Sequence, residues 1–162
     1  MAGTMPAHTI LAGLLLLLAA GEAGAARETL GRYGRWLALR DTAPARCFAV
    51  TRPISAMHGG QPFLSFATGR GFGSRPRVRL RLSRTGAGKA MAVVGGSSFP
   101  LIVQGEAFGA DRRGDARIVA AVRAARRLEV RAMDPRGRRF VDIYPLAGAP
   151  SAIDAATLGC LP

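Results

Sequence analysis

Arg77-Val78-Arg79-Leu80-Arg81-Leu82 decides the fold class of this chain. Arginine and an apolar residue alternate through the run without exception. Successive side chains of a β-strand point to opposite faces, so this spacing predicts a half-buried strand. Val78, Leu80 and Leu82 form its core face, and Arg77, Arg79 and Arg81 form a basic ladder on the other.

Short strand-like runs flank it on both sides. Arg32–Arg40 carries the sole tryptophan, Trp36, and reads as a first strand. Arg46–Thr51 follows a turn at 41–45, and Phe63–Ala67 follows a loop at 53–61. A flexible Gly/Arg loop, residues 69–76, leads into the alternating run. Thr85-Gly86-Ala87-Gly88 turns the chain back into Lys89–Val94, and Phe99–Val103 comes after Gly95-Gly96. Strands and turns at this spacing predict an antiparallel sandwich or barrel.

One segment breaks the pattern. Across 111–127, Ile118, Val119, Val122 and Ala125 recur at helical spacing. Asp111 or Asp115 can cap the start of this amphipathic helix, and Arg123, Arg126 and Arg127 suit its C-terminal end. Leu128–Met133 and Phe140–Tyr144 then flank Asp134-Pro135-Arg136-Gly137, a hairpin turn. Pro150-Ser151 opens a short helix, Ala152–Leu158, before Gly159-Cys160.

The N-terminus sets the compartment. Ile10–Ala20 is an eleven-residue apolar run followed by Ala23-Gly24-Ala25. This reads as a secretory signal peptide over residues 1–25 with a small-residue cleavage site, the alternative being an uncleaved N-terminal anchor. It is too short to span a bilayer, which takes roughly 18 residues or more, so no transmembrane segment is expected after cleavage. No Cys follows closely enough to carry a lipid anchor. Residues 26–162 have the size of one domain, large enough to fold without a metal. A periplasmic or secreted location follows.

The formal charge of the whole chain is +13. Cleavage removes Glu22 and no Lys or Arg, so the mature domain is more basic still. Lys89 is the only lysine among the 23 basic residues. Arginine binds phosphate and carboxylate as a fork, which points to an anionic partner. An Ala, Gly and Arg-rich composition is equally the mark of a GC-rich coding sequence, and both readings stay open. Export argues against nucleic acid. Anionic envelope lipid, polysaccharide or another envelope protein fits better, with Arg77, Arg79 and Arg81 as the candidate contacts.

Cys47 and Cys160 are the only cysteines, and in an oxidising compartment an even pair reads as a disulfide. His58 is the one histidine outside the leader, so neither a zinc site nor a Cys–His pair is expected.

The ordered set of segments resembles the invasion-associated locus B family of exported α-proteobacterial proteins. Gly34-Arg35-Trp36 fits the Gly-x-Trp that opens the family domain, and Arg46-Cys47-Phe48 its Cys-aromatic strand. Residues 111–122 fit its capped helix, 128–130 with 140–146 its hairpin, and 148–160 its closing segment ending in Cys. Family members are expected to carry a further Cys just after the Trp strand, where this chain has Leu37-Ala38-Leu39-Arg40. The resemblance implies an immunoglobulin-like antiparallel β-sandwich in the periplasm or outer envelope. It supplies no catalytic residues.

Enzyme chemistry finds little support in the residues. Asp111 and Asp115 share a helix face, but capping explains both. Gly69-Arg70-Gly71-Phe72-Gly73 opens a strand, so no helix amides converge on a phosphate there. Ser97 and Ser98 have no histidine near them in sequence. The expectation is a non-catalytic binding protein with no cofactor and no metal. The alternative is an envelope hydrolase or a lipid- or glycan-modifying enzyme with an unrecognised site.

Overall fold

The structure is a computed structural model, and it describes residues 26–54 and 61–161. The proposed leader and His58 lie outside the described residues. Ten strands and two helices follow one another: β1 (Arg27–Tyr33), β2 (Trp36–Thr42), β3 (Ala45–Thr51), β4 (Phe63–Gly69), β5 (Gly73–Arg81), β6 (Ala90–Val94), β7 (Ser97–Gln104), β8 (Ala107–Gly109), α1 (Arg112–Val122), β9 (Arg127–Met133), β10 (Arg139–Pro145) and α2 (Ala149–Gly159). All strand pairs are antiparallel. They form one sheet of order β1-β2-β3-β4-β5-β8-β7-β6-β9-β10, which does not close into a barrel. The mainly β character and the two helices agree with the sequence reading.

Several local expectations change. Arg32–Arg40 is two strands, because Gly34 at φ +62° turns the chain back on itself. The Gly/Arg loop shrinks to a tight turn at residues 70–72. Thr85–Gly88 closes no hairpin: β6 pairs with β7 and β9, and β5 takes β8 as its neighbour. The linker after β5 is held by the other half of the molecule. Asp142 of β10 accepts from both the Ser83 backbone N–H and its hydroxyl, and Met133 of β9 accepts from Ala87 N. Three-residue β8 is too short to show a period. α1 stops at Val122, so Arg126 precedes β9 and Arg127 opens it.

The core is one cluster. Val78 and Leu80 of β5 point inward beside Phe66 and Leu64 of β4, as their register requires. α2 packs against β1 to β5 and presents Ala152, Ile153 and Ala156 to them. Trp36 is fully buried, 5.8 Å from the Phe66 ring, and its Nε1 donates to the Pro145 carbonyl at 2.9 Å. Ile54 N donates to Ile143 O at 2.8 Å. These two bonds tie the β2–β3 region to β10.

α2 begins one turn earlier than its sequence suggests, with Pro150 in the first turn, where its missing N–H costs nothing. Gly148 precedes it at φ +87°, and a Cβ there would stand 2.2 Å from the Tyr33 carbonyl oxygen. Only glycine fits both the backbone angle and the space. Cys47 and Cys160 are disulfide-bonded with Cα atoms 5.8 Å apart, joining the C-terminal end of α2 to β3.

Candidate anion-binding face

The β5 alternation holds in three dimensions. Arg77, Arg79 and Arg81 share the outer face, opposite Val78 and Leu80. The antiparallel register extends that face across the sheet: Arg77 lies beside Ala67, Arg79 beside Ser65 and Arg81 beside Phe63 of β4. Ser65 lies beside Val50 of β3, Val50 beside Leu37 of β2, and Leu37 beside Arg32 of β1. The half-buried apolar side chains make a floor, and arginines rise around it.

Two adjoining cavities occupy this face. One, of about 620 Å³, is lined by Arg27, Arg32, Arg35 and Arg52, with Leu37 and Val50 among its apolar walls. Among the described residues no acidic side chain lines it. The other, of about 370 Å³, is lined by Arg27, Arg46 and Arg79 around Leu39, Phe48, Val50 and Phe63. Asp41 is its only carboxylate among the described residues. It accepts from Arg27 Nε at 2.8 Å and stands 3.8 Å from Arg46. The Arg27 hydrogen bond holds the Asp41 carboxyl below the usual range and outweighs the opposing effect of burial. One carboxylate thus serves two guanidiniums. Arg32, Arg35, Arg52 and Arg79 form no ion pair among the described residues.

Aromatic rings position three of the arginines on this face. Arg27 lies over Phe48 at 5.0 Å, Arg79 over Phe72 at 5.7 Å and Arg81 over Phe63 at 5.7 Å. A stacked guanidinium keeps its charge and loses rotational freedom, so its hydrogen-bond edges are pre-oriented for an anion.

The three ladder arginines do not share one environment. Arg77 donates through Nε to the buried Asp115 of α1, which also accepts the Val78 backbone N–H. Arg81 is exposed and stands 3.8 Å from Glu106, a loose surface pair. Among the described residues Arg79, alone of the three, has no carboxylate partner, and its Nη2 donates to the Gln104 carbonyl at 3.4 Å. Arg77 faces a third cavity, of about 840 Å³, between the 71–76 segment and α1, lined also by Arg75, Arg112 and Asp115. Asp111, not Asp115, caps α1, accepting from Gly114 N at 2.6 Å. Burial pushes the Asp115 carboxyl above its ordinary value, against the opposing bonds from Val78 and Arg77.

Sequence reasoning finds the β5 wall of this face and misses Arg27, Arg32, Arg35, Arg46 and Arg52. These come from two strands, β1 and β3, the turn at Arg35 and the segment just after β3, and only the pairing register gathers them. Ser97 and Ser98 are exposed at the start of β7. Among the described residues no group of three or more His, Cys, Asp and Glu side chains is placed to hold a metal, and no helix is long and apolar enough to cross a membrane. Comparison with family models, curated proteins and solved structures finds no match for this chain.

Proposed function

We propose that this is an exported, non-catalytic binding protein that presents the outer face of β1–β5 to an anionic partner in the cell envelope. The observation that carries the reading is the pair of cavities with six arginines, Arg27, Arg32, Arg35, Arg46, Arg52 and Arg79, and a single carboxylate between them. Even-handed charge would place acids among them; here the excess is local and concave. The disulfide and the leader read at residues 1–25 support export. The resemblance to the invasion-associated locus B family, with its immunoglobulin-like sandwich, belongs to the same proposal and rests on the ordered match from Gly34 to Cys160.

The test compares two variants of equal charge. One carries Arg32→Gln, Arg35→Gln, Arg52→Gln and Arg79→Gln. The other carries Arg113→Gln, Arg126→Gln, Arg136→Gln and Arg139→Gln, all exposed and away from the face. Binding to phosphatidylglycerol vesicles and to polygalacturonate is measured at low and moderate salt. At least one ligand should bind, with the face variant ~10-fold or more weaker and the control close to wild type. Equal losses in both variants, or no binding to either ligand, would overturn the reading.

A further inference from the structure

We propose that the anionic partner is a linear acidic polysaccharide, held as an extended chain in one arginine track that crosses the outer face and continues onto α1. This rests on the anion-binding reading above and names the ligand class.

The cavities form a continuous series. The first two share Arg27, Val50 and Phe63 as walls, and the second shares Phe72 with the third. Arginines recur along the whole series: Arg32, Arg35 and Arg52, then Arg27, Arg46 and Arg79, then Arg75, Arg77 and Arg112. Its two carboxylates, Asp41 and Asp115, are each already bonded to an arginine of the track. Crossing five strands covers four spacings of ~4.8 Å, or roughly 19 Å, before the track passes the edge of β5 to α1. Charge repeated at that scale matches a ligand with repeated charge, and each added contact acts at high effective concentration.

The shape separates the ligand classes. A bilayer meets protruding residues on one plane, whereas these arginines line concavities that a single chain can enter. Single-stranded nucleic acid needs open aromatic faces on which bases stack. Arginine covers five of the seven phenylalanines, and Phe48, Phe63 and Phe72 are the three along the track. The track offers forks for carboxylates and, at its two ends, the exposed amide and hydroxyl of Gln61 and Ser74 for sugar hydroxyls.

Oligogalacturonates of one, four and eight units provide the probe, titrated into the mature protein at low salt. The octamer should bind ~10-fold or more tightly than the tetramer, and the monomer should show no saturable binding. Arg32→Gln/Arg35→Gln, Arg46→Gln/Arg79→Gln and Arg75→Gln/Arg112→Gln should each weaken the octamer several-fold, with unchanged thermal unfolding midpoints. Affinity independent of length, a loss confined to one of the three double variants, or tighter binding of an eight-nucleotide single strand would overturn the proposal. Binding to phosphatidylglycerol vesicles without binding to any oligogalacturonate would overturn the polysaccharide chain and leave the anion-binding face standing. Failure with both ligands would remove both.

Discussion

Asp115 of α1 accepts the backbone N–H of Val78 at 3.0 Å, so a helix side chain completes the hydrogen bonding of a strand. β8 pairs with β5 at Leu80, and on that side of β5 its register does not reach Val78. The same carboxylate neutralises Arg77. Asp115→Ala should therefore leave a buried N–H and a half-buried guanidinium unpaired, at a cost of about 2–4 kcal/mol in urea unfolding. Asp115→Asn keeps an acceptor for Val78 and should cost less. By releasing Arg77 it should also strengthen oligogalacturonate binding.

Cys47 and Cys160 close a loop of 113 residues. Chain-entropy reasoning assigns such a cross-link about 4–5 kcal/mol, acting on the unfolded state. Cys47→Ser/Cys160→Ser should lower stability by up to that amount while leaving anion affinity unchanged, since the bond lies on the inner side of β3, away from the arginines. Equilibrium unfolding with and without reductant measures it.

Tyr144 is fully buried and its hydroxyl makes no hydrogen bond to the described protein atoms. Burial, and then the neighbouring Asp142 charge, push this hydroxyl far above its ordinary value of 10.0. The hydroxyl stays protonated in the native state but ionises in the unfolded chain above its ordinary value, so folding is increasingly penalised as pH rises from there toward the native value. Wild-type stability should fall above about pH 10, more steeply than in Tyr144→Phe. At neutral pH the phenylalanine variant should be at least as stable, by up to ~1–3 kcal/mol, because it removes an unsatisfied buried polar group.

Asp41 has the opposite sign. Its lowered native value means that its contribution is present above the ordinary value of 3.8 and is lost as pH falls through the lower native one. Asp41→Asn should flatten the acid limb of the stability curve below about pH 4. Arg27 is more than half exposed, so solvent screening keeps the effect at neutral pH to about 1 kcal/mol or less. Added salt should shrink it further. Thermal unfolding across pH, at two ionic strengths, separates the two signs.

Period carries the sequence signal, and it is strongest where period is long. Arg77–Leu82 is legible because it alternates without exception, and Leu128–Met133 and Phe140–Tyr144 because they flank the clear turn Asp134-Pro135-Arg136-Gly137. Gly34 is harder to read: a single glycine between Arg32 and Leu37 divides one apparent strand into a hairpin. The departure of β6 from β5 is not local at all. Ser83 is bonded to Asp142, 59 residues away, and no window around Thr85–Gly88 contains that partner. The basic face follows the same logic. The ladder on β5 shows in six consecutive residues, whereas Arg32, Arg35 and Arg52 meet only through registers between different strands. Asp115 reads as a cap because its spacing from Asp111 fits one, but tertiary contact with β5 puts it to a different use.

The Trp36–Pro145 hydrogen bond spans 109 residues, and α2 covers strands made more than a hundred residues before it. A chain emerging from its N-terminus therefore displays β1–β5 with the inner face open until α2 arrives to fill it. Loop closure over such distances makes folding slow, and the first half has no finished core of its own to collapse onto. Synthesis is sequential, and this topology withholds the finished core until α2 has been made.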